Sequence, residues 1–150
     1  MRPELVVDAS VAIKLFVDEE LTDRAEALFD RLDADDPPRM VVPDLFFIEC
    51  ANILWKYVRR AGFPREDALR DIADLIALPF QPVSTAALLP GALALAVERG
   101  LSAYDACYAT LAASLACPLI TADRPMLEKL AGSGVDARWL GDVAQTLSQD

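Results

Sequence analysis

Short apolar, β-branched runs alternate along the chain with segments whose apolar positions recur every three or four residues, the pattern of buried strands joined by amphipathic helices. Leu5-Val6-Val7 is the first such run and ends at Asp8; Ser10 then reads as the N-cap of an apolar-periodic helix reaching Val17. Asp18-Glu19-Glu20 breaks the pattern before Ala25, Leu28, Phe29 and Leu32 resume a helical spacing, which Asp35-Asp36-Pro37-Pro38 stops. Met40-Val41-Val42-Pro43 predicts a second strand, and Asp44 a cap for a long helix from Leu45 to Arg60 closed by Gly62. Pro64 opens a helix with Ile72, Leu75 and Ile76 on one face, ending before Pro79, and Phe80 to Val83 predicts a third strand interrupted by Pro82. Ala86 to Arg99 predicts a helix weakened by Pro90-Gly91 and capped by Gly100, and Ser102 starts a very apolar helix to Ala116. Pro118 to Thr121 is a buried-type strand ending at Ala122-Asp123; a short helix from Arg124 to Leu130, a Gly132-Ser133-Gly134 turn and a last strand over Val135 to Leu140 follow. With no linker or repeat, this alternation predicts a single domain over residues 1–150, a three-layer α/β/α fold with a mostly parallel central sheet.

Composition narrows the chemistry. At 54% hydrophobic and 25% charged residues the chain has the make-up of a globular domain. The longest nearly apolar stretch, Thr85 to Val97, holds Pro90 and Gly91 and is shorter than the ~18–20 residues of a bilayer span, so no membrane segment is expected. The N-terminus lacks a secretory pattern, and the expected location is cytoplasmic. Histidine is absent, which excludes Ser-His-Asp and Cys-His nucleophiles, HExxH metalloproteases and Cys2His2 fingers. Cys50, Cys107 and Cys117 lie in apolar stretches without a CxxC pair and are expected as buried reduced thiols. Fourteen basic against 24 acidic residues, a net charge of -10, disfavour phosphate binding through a basic face, so no direct DNA binding is expected.

The acids are the remaining source of chemistry, and four stand out. Asp8 and Asp123 each end a predicted strand, at the sheet edge where ligands bind in folds of this class, although Asp also terminates strands and caps helices in ordinary structure. Glu49 lies in a helix apolar nearly all round; it is either a buried carboxylate or part of an exposed stripe with Asn52 and Lys56. Asp105 is the one charge of its helix, and Ser102-Ala103-Tyr104-Asp105 also fits a capping box. Four carboxylates brought together would repel one another unless divalent cations sat among them, and hard oxygen donors suit Mg²⁺ or Mn²⁺. Such a site hydrolyses phosphodiesters without histidine, and its cations draw a polyanion to an acidic protein.

These residues carry a family resemblance over almost the whole chain. Val6-Val7-Asp8-Ala9-Ser10, Glu49 with Asn52 and Trp55, Tyr104-Asp105-Ala106 and Thr121-Ala122-Asp123, in that order, resemble the motifs of PIN-domain ribonucleases, specifically the VapC-like toxins of toxin-antitoxin pairs. The resemblance implies that Asp8, Glu49, Asp105 and Asp123 hold Mg²⁺ or Mn²⁺ for cleavage of single-stranded RNA. It implies that Ser10 and Thr121 are supporting or substrate-contacting groups and that Asn52 supports Glu49. It further implies a cognate antitoxin and homodimerisation, and an acidic pocket suits an antitoxin that inserts a basic side chain. Arg124, beside Asp123, is a candidate phosphate contact. The sequence departs from the family at Met126, where many members carry a further Asp or Asn, which puts the hold on a second ion in doubt.

Two other functions compete with a nuclease. A binding module of the same fold without hydrolysis would follow from a weak second ion at Met126. An aspartyl phosphotransfer enzyme would use Asp8 as acceptor, but the second Asp such sites need two positions later is Ser10 here. Phe16, Phe29 and Trp55 are expected in the core.

Overall fold

The computed structural model describes residues 2–143. Five strands, β1 (Glu4–Val7), β2 (Arg39–Pro43), β3 (Phe80–Val83), β4 (Leu119–Thr121) and β5 (Ala137–Trp139), form one sheet in the order β3-β2-β1-β4-β5. Every neighbouring pair is parallel, with Val6 opposite both Val41 and Leu119. Between β1 and β2 come α1 (Ala9–Ala12), continued by a 3-10 turn, and α2 (Thr22–Asp30); between β2 and β3 come α3 (Leu45–Ala61) and α4 (Arg65–Ala77). The β3 to β4 connection holds α5 (Thr85–Arg99) and α6 (Ala103–Leu115), and α7 (Arg124–Leu130) joins β4 to β5.

The strand order explains where a site can form. From β1 the chain steps outward through β2 to β3, then crosses back over the sheet to β4 and steps outward to β5 on the other side. Right-handed crossovers in opposite directions put their helices on opposite faces, so the sheet is covered on both. The inner strands are accordingly buried on both sides: Val6, Val7, Val42, Leu119 and Ile120 have no solvent exposure. The direction of winding reverses between β1 and β4, and the carboxyl ends of those two strands open a crevice. Pro82 is tolerated in β3 because that strand is an edge and bonds to β2 alone.

Several local details differ from expectation. The first helix starts at Ala9, with Asp8 in the N-cap position accepting the Val11 N–H through its carbonyl, so Ser10 is not the cap. That helix is one turn, tightening into a 3-10 turn at Ile13–Leu15 instead of running to Val17. Asp44 precedes α3 but takes the Thr85 N–H at 2.9 Å and the Thr85 hydroxyl, fastening the start of α3 to that of α5. Pro90 does not interrupt α5, and Gly91 lets it approach α6: a Cβ there would stand 3.0 Å from the Thr110 methyl. The last strand is shorter than predicted because Leu140–Asp142 turn into a 3-10 helix. Phe29 is core and Phe16 packs on its margin, whereas Trp55 is 53% exposed. Cys50, Cys107 and Cys117 are buried free thiols. Among the described residues no single helix is long and apolar enough to cross a membrane.

Candidate active site

Asp8 stands at the crevice because its backbone is the last rung of the β1–β4 ladder, its N–H donating to Ile120 at 3.1 Å. Its carboxylate is buried, and Oδ2 accepts from the Ser10 and Thr121 hydroxyls, each at 2.9 Å. Ser10 Oγ in turn accepts the Ala122 N–H at 3.1 Å, and Thr121 Oγ1 accepts the Asp123 N–H at 3.0 Å. Two hydroxyls thus tie the ends of β1 and β4 to one carboxylate. Asp123 caps α7 by accepting the Met126 N–H at 3.1 Å. The Met126 side chain is 1% exposed, its sulfur 3.8 Å from the Thr121 hydroxyl, so that residue meets the site through its backbone N–H and lies beneath Thr121 with its thioether.

Glu49 arrives from the second turn of α3 and Asp105 from the first turn of α6. Glu49 is half-buried, and its Oε1 accepts the Tyr108 hydroxyl at 2.6 Å. Tyr108 has no solvent exposure and was not anticipated; the available signal was a phenol in a helix otherwise apolar, whose hydroxyl needs a partner. Asp105 donates its N–H to Ser102 Oγ at 3.1 Å, but the return bond of a capping box is not formed. Asn52 is exposed in the groove it shares with Glu49 and Tyr104 and makes no hydrogen bond to Glu49, the support expected of it coming from Tyr108 instead.

The electrostatics show that the four acids feel one another. Burial raises Asp8 above the ordinary carboxylate range, against the two hydroxyl bonds, and the Asp123 charge adds to the rise. Glu49 is pushed up to about 7 by burial and by Asp8 and Asp105, with the Tyr108 bond opposing. Asp105 is pushed up to about 6 by burial, Asp8 and Asp123. None of the four has an ion-pair partner among the described residues. A crowded set of oxygen donors short of positive charge fits a hard divalent cation in its chemistry. Among the described residues no three acidic or thiol side chains stand in a ready-made metal-holding arrangement, and Asp8, Glu49 and Asp123 each give one oxygen to a protein donor.

Residues 5–132 match the PIN domain. The chain belongs to the PIN-domain family. This PIN domain is 36% identical over 129 residues to Ribonuclease VapC3 of Pyrobaculum aerophilum, a match covering 84% of the chain and 94% of the relative. Among solved structures it is similar to PAE2754 of the same organism, with a TM-score of 0.70 and 28% identity over the full length of both chains. It shares its fold with a toxin-antitoxin complex from Klebsiella pneumoniae, with a TM-score of 0.60 and 19% identity over 85% of this chain and 91% of the other. The expected fold class is therefore the observed one. In the cleft beside Asp123 the PIN domain carries a pair that sequence reasoning missed: the buried Lys14, paired with Glu19 at 3.2 Å, with the Tyr57 hydroxyl also donating to Glu19.

Proposed function

We propose that this protein, read as a single domain over residues 1–150, is a Mg²⁺- or Mn²⁺-dependent ribonuclease toxin that cuts single-stranded RNA internally and is silenced by a cognate antitoxin. The observation that carries the reading is that Asp8 and Asp123 end β1 and β4 where the sheet's winding reverses, while Asp8, Glu49 and Asp105 are raised first by burial and further by neighbouring carboxylates, with none of the four acids in an ion pair among the described residues. Asp8 and Asp105 would be the central ligands; Glu49 would bind directly or through water and orient the nucleophile, and Asp123 would complete the second position. The cation, when bound, supplies the charge that acidifies an attacking water and offsets the negative charge gathering on the leaving 3′ oxygen. Ser10 and Thr121 hold the Asp8 carboxylate in one orientation through Oδ2. Tyr108 does the same for Glu49 and lowers its hold on a proton.

Two uncovered apolar surfaces support partners. Ala51, Leu54, Trp55, Leu69 and Ile72 line a groove of about 310 Å³ between α3 and α4, suited to a chain of the antitoxin. Leu89, Leu93 and Val97 form an exposed stripe along α5, suited to a second copy of this chain. A cytoplasmic location and the absence of direct DNA binding belong to the same reading.

Cleavage of a labelled single-stranded RNA by the purified protein, with Mg²⁺ or Mn²⁺ and with EDTA, tests it. Internal cuts that need the cation and fall about 100-fold or more in a folded Asp8→Asn variant are expected. Because Met126 leaves no acid three residues after Asp123, the competing reading is a binding module, and RNA left intact at high Mn²⁺ by antitoxin-free protein would favour it.

A further inference from the structure

A cleft of about 620 Å³ opens beside Asp123, lined by Ser10, Lys14, Glu19, Asp123, Arg124 and Trp139 among others. It contains two cations that differ in their commitments. Lys14 is nearly buried and held by Glu19. Arg124 is exposed, makes no ion pair or hydrogen bond among the described residues, and lies over the Trp139 ring with its guanidinium carbon 4.1 Å from the centroid. An arginine stacked on an indole keeps its edge N–H groups free while losing little further freedom on binding. The indole is itself seated: a Cβ on Gly141 would stand 2.5 Å from Trp139 Nε1 and 2.8 Å from Cδ1, so the ring fills the space a side chain at 141 would take. Gly141 is absent from the positive-φ residues, so its backbone conformation is open to alanine and only the indole forbids one.

We propose that Arg124, steadied by the Trp139 ring that rests on Gly141, is a phosphate clamp that seats the RNA segment flanking the bond cut at the carboxylates. The proposal rests on the ribonuclease reading and deepens it. Of the two cations lining this cleft, Arg124 is the one that no described residue engages in an ion pair, and it adjoins Asp123 in the chain, so a backbone phosphate it held would lie beside the acids. Arg124 would touch substrate; Trp139 and Gly141 are positioning residues.

The test measures binding of a fluorescent single-stranded RNA by anisotropy across a salt series, in full-length protein carrying Asp8→Asn, together with cleavage kinetics in the unblocked chain. Arg124→Ala is expected to weaken binding about tenfold and to reduce the slope of log Kd against log salt by about 0.7. Trp139→Ala gives the same two losses, Trp139→Phe restores both, and Gly141→Ala reproduces them while its melting temperature stays that of the parent. In cleavage the loss falls on KM. If the parent binds and cuts RNA but Arg124→Ala leaves affinity and salt slope unchanged, the clamp is overturned and the ribonuclease reading stands. A parent that neither binds nor cuts RNA overturns both.

Discussion

The Tyr108 hydroxyl donates to Glu49 from a ring with no solvent exposure, and that bond pulls down a carboxylate that burial, Asp8 and Asp105 all push up. Tyr108→Phe removes the opposing influence, so Glu49 holds its proton to higher pH; the rise of cleavage rate with pH moves to the alkaline side, which a pH–rate profile reads directly. Glu49 and Asp105 also couple the site to stability. Both bind protons more tightly folded than unfolded, so the cation-free protein is favoured by protonation and loses that stability as pH rises through about 6 for Asp105 and about 7 for Glu49. Melts in EDTA are therefore expected to show a lower melting temperature at about pH 8 than at about pH 5, with a smaller difference in Glu49→Gln. Glu49 and Asp105 were legible because each is the only acid of its helix. Tyr108 was not, because its partner lies 59 positions away and nothing local pairs them. Ser10 shows the converse: its hydroxyl was read as a local cap, and Asp8 two residues earlier takes it instead.

At the ends of elements the chain follows ordinary signals with two exceptions among the described residues, Leu21 before α2 and Ala116 after α6, both in the left-handed conformation. Gly62 and Gly100 close α3 and α5 in the left-handed conformation, as their positions predict. Ala116 closes α6 with φ 51°, where a Cβ crowds the backbone. Ala116→Gly is expected to stabilise the protein by about 0.5–1 kcal/mol, the relief of that crowding less the glycine's greater freedom when unfolded, as seen in denaturant melts. The strands and helices themselves were legible from periodicity, because strands buried on both faces read as unbroken apolar runs and the helices keep a polar side. The short α1 was not: the shift from α to 3-10 geometry after Ala12, in a segment that packs against α2 and α3, leaves no mark on the spacing.

For the molecule as a whole, the exposed stripe on α5 bears on assembly. Val97 is 78% exposed and Leu93 61%, so if the proposed pairing of two copies uses this stripe, Leu93→Glu combined with Val97→Glu leaves a monomer in sedimentation without lowering the melting temperature. That the sheet is parallel could be read from the alternation of strand and helix. The order of strands could not, since no local feature says that β4 returns to the flank of β1, and yet this return makes the site. The Thr121 bond to Asp8 spans 113 residues of sequence, so it needs a long loop to close. Chains grow from the N-terminus, so a polypeptide interrupted before Leu119 already carries Asp8, Glu49 and Asp105 but lacks the strand that orients the first of them. The Asp8 carboxylate therefore gains its Thr121 partner only once β4 has been made and has docked beside β1.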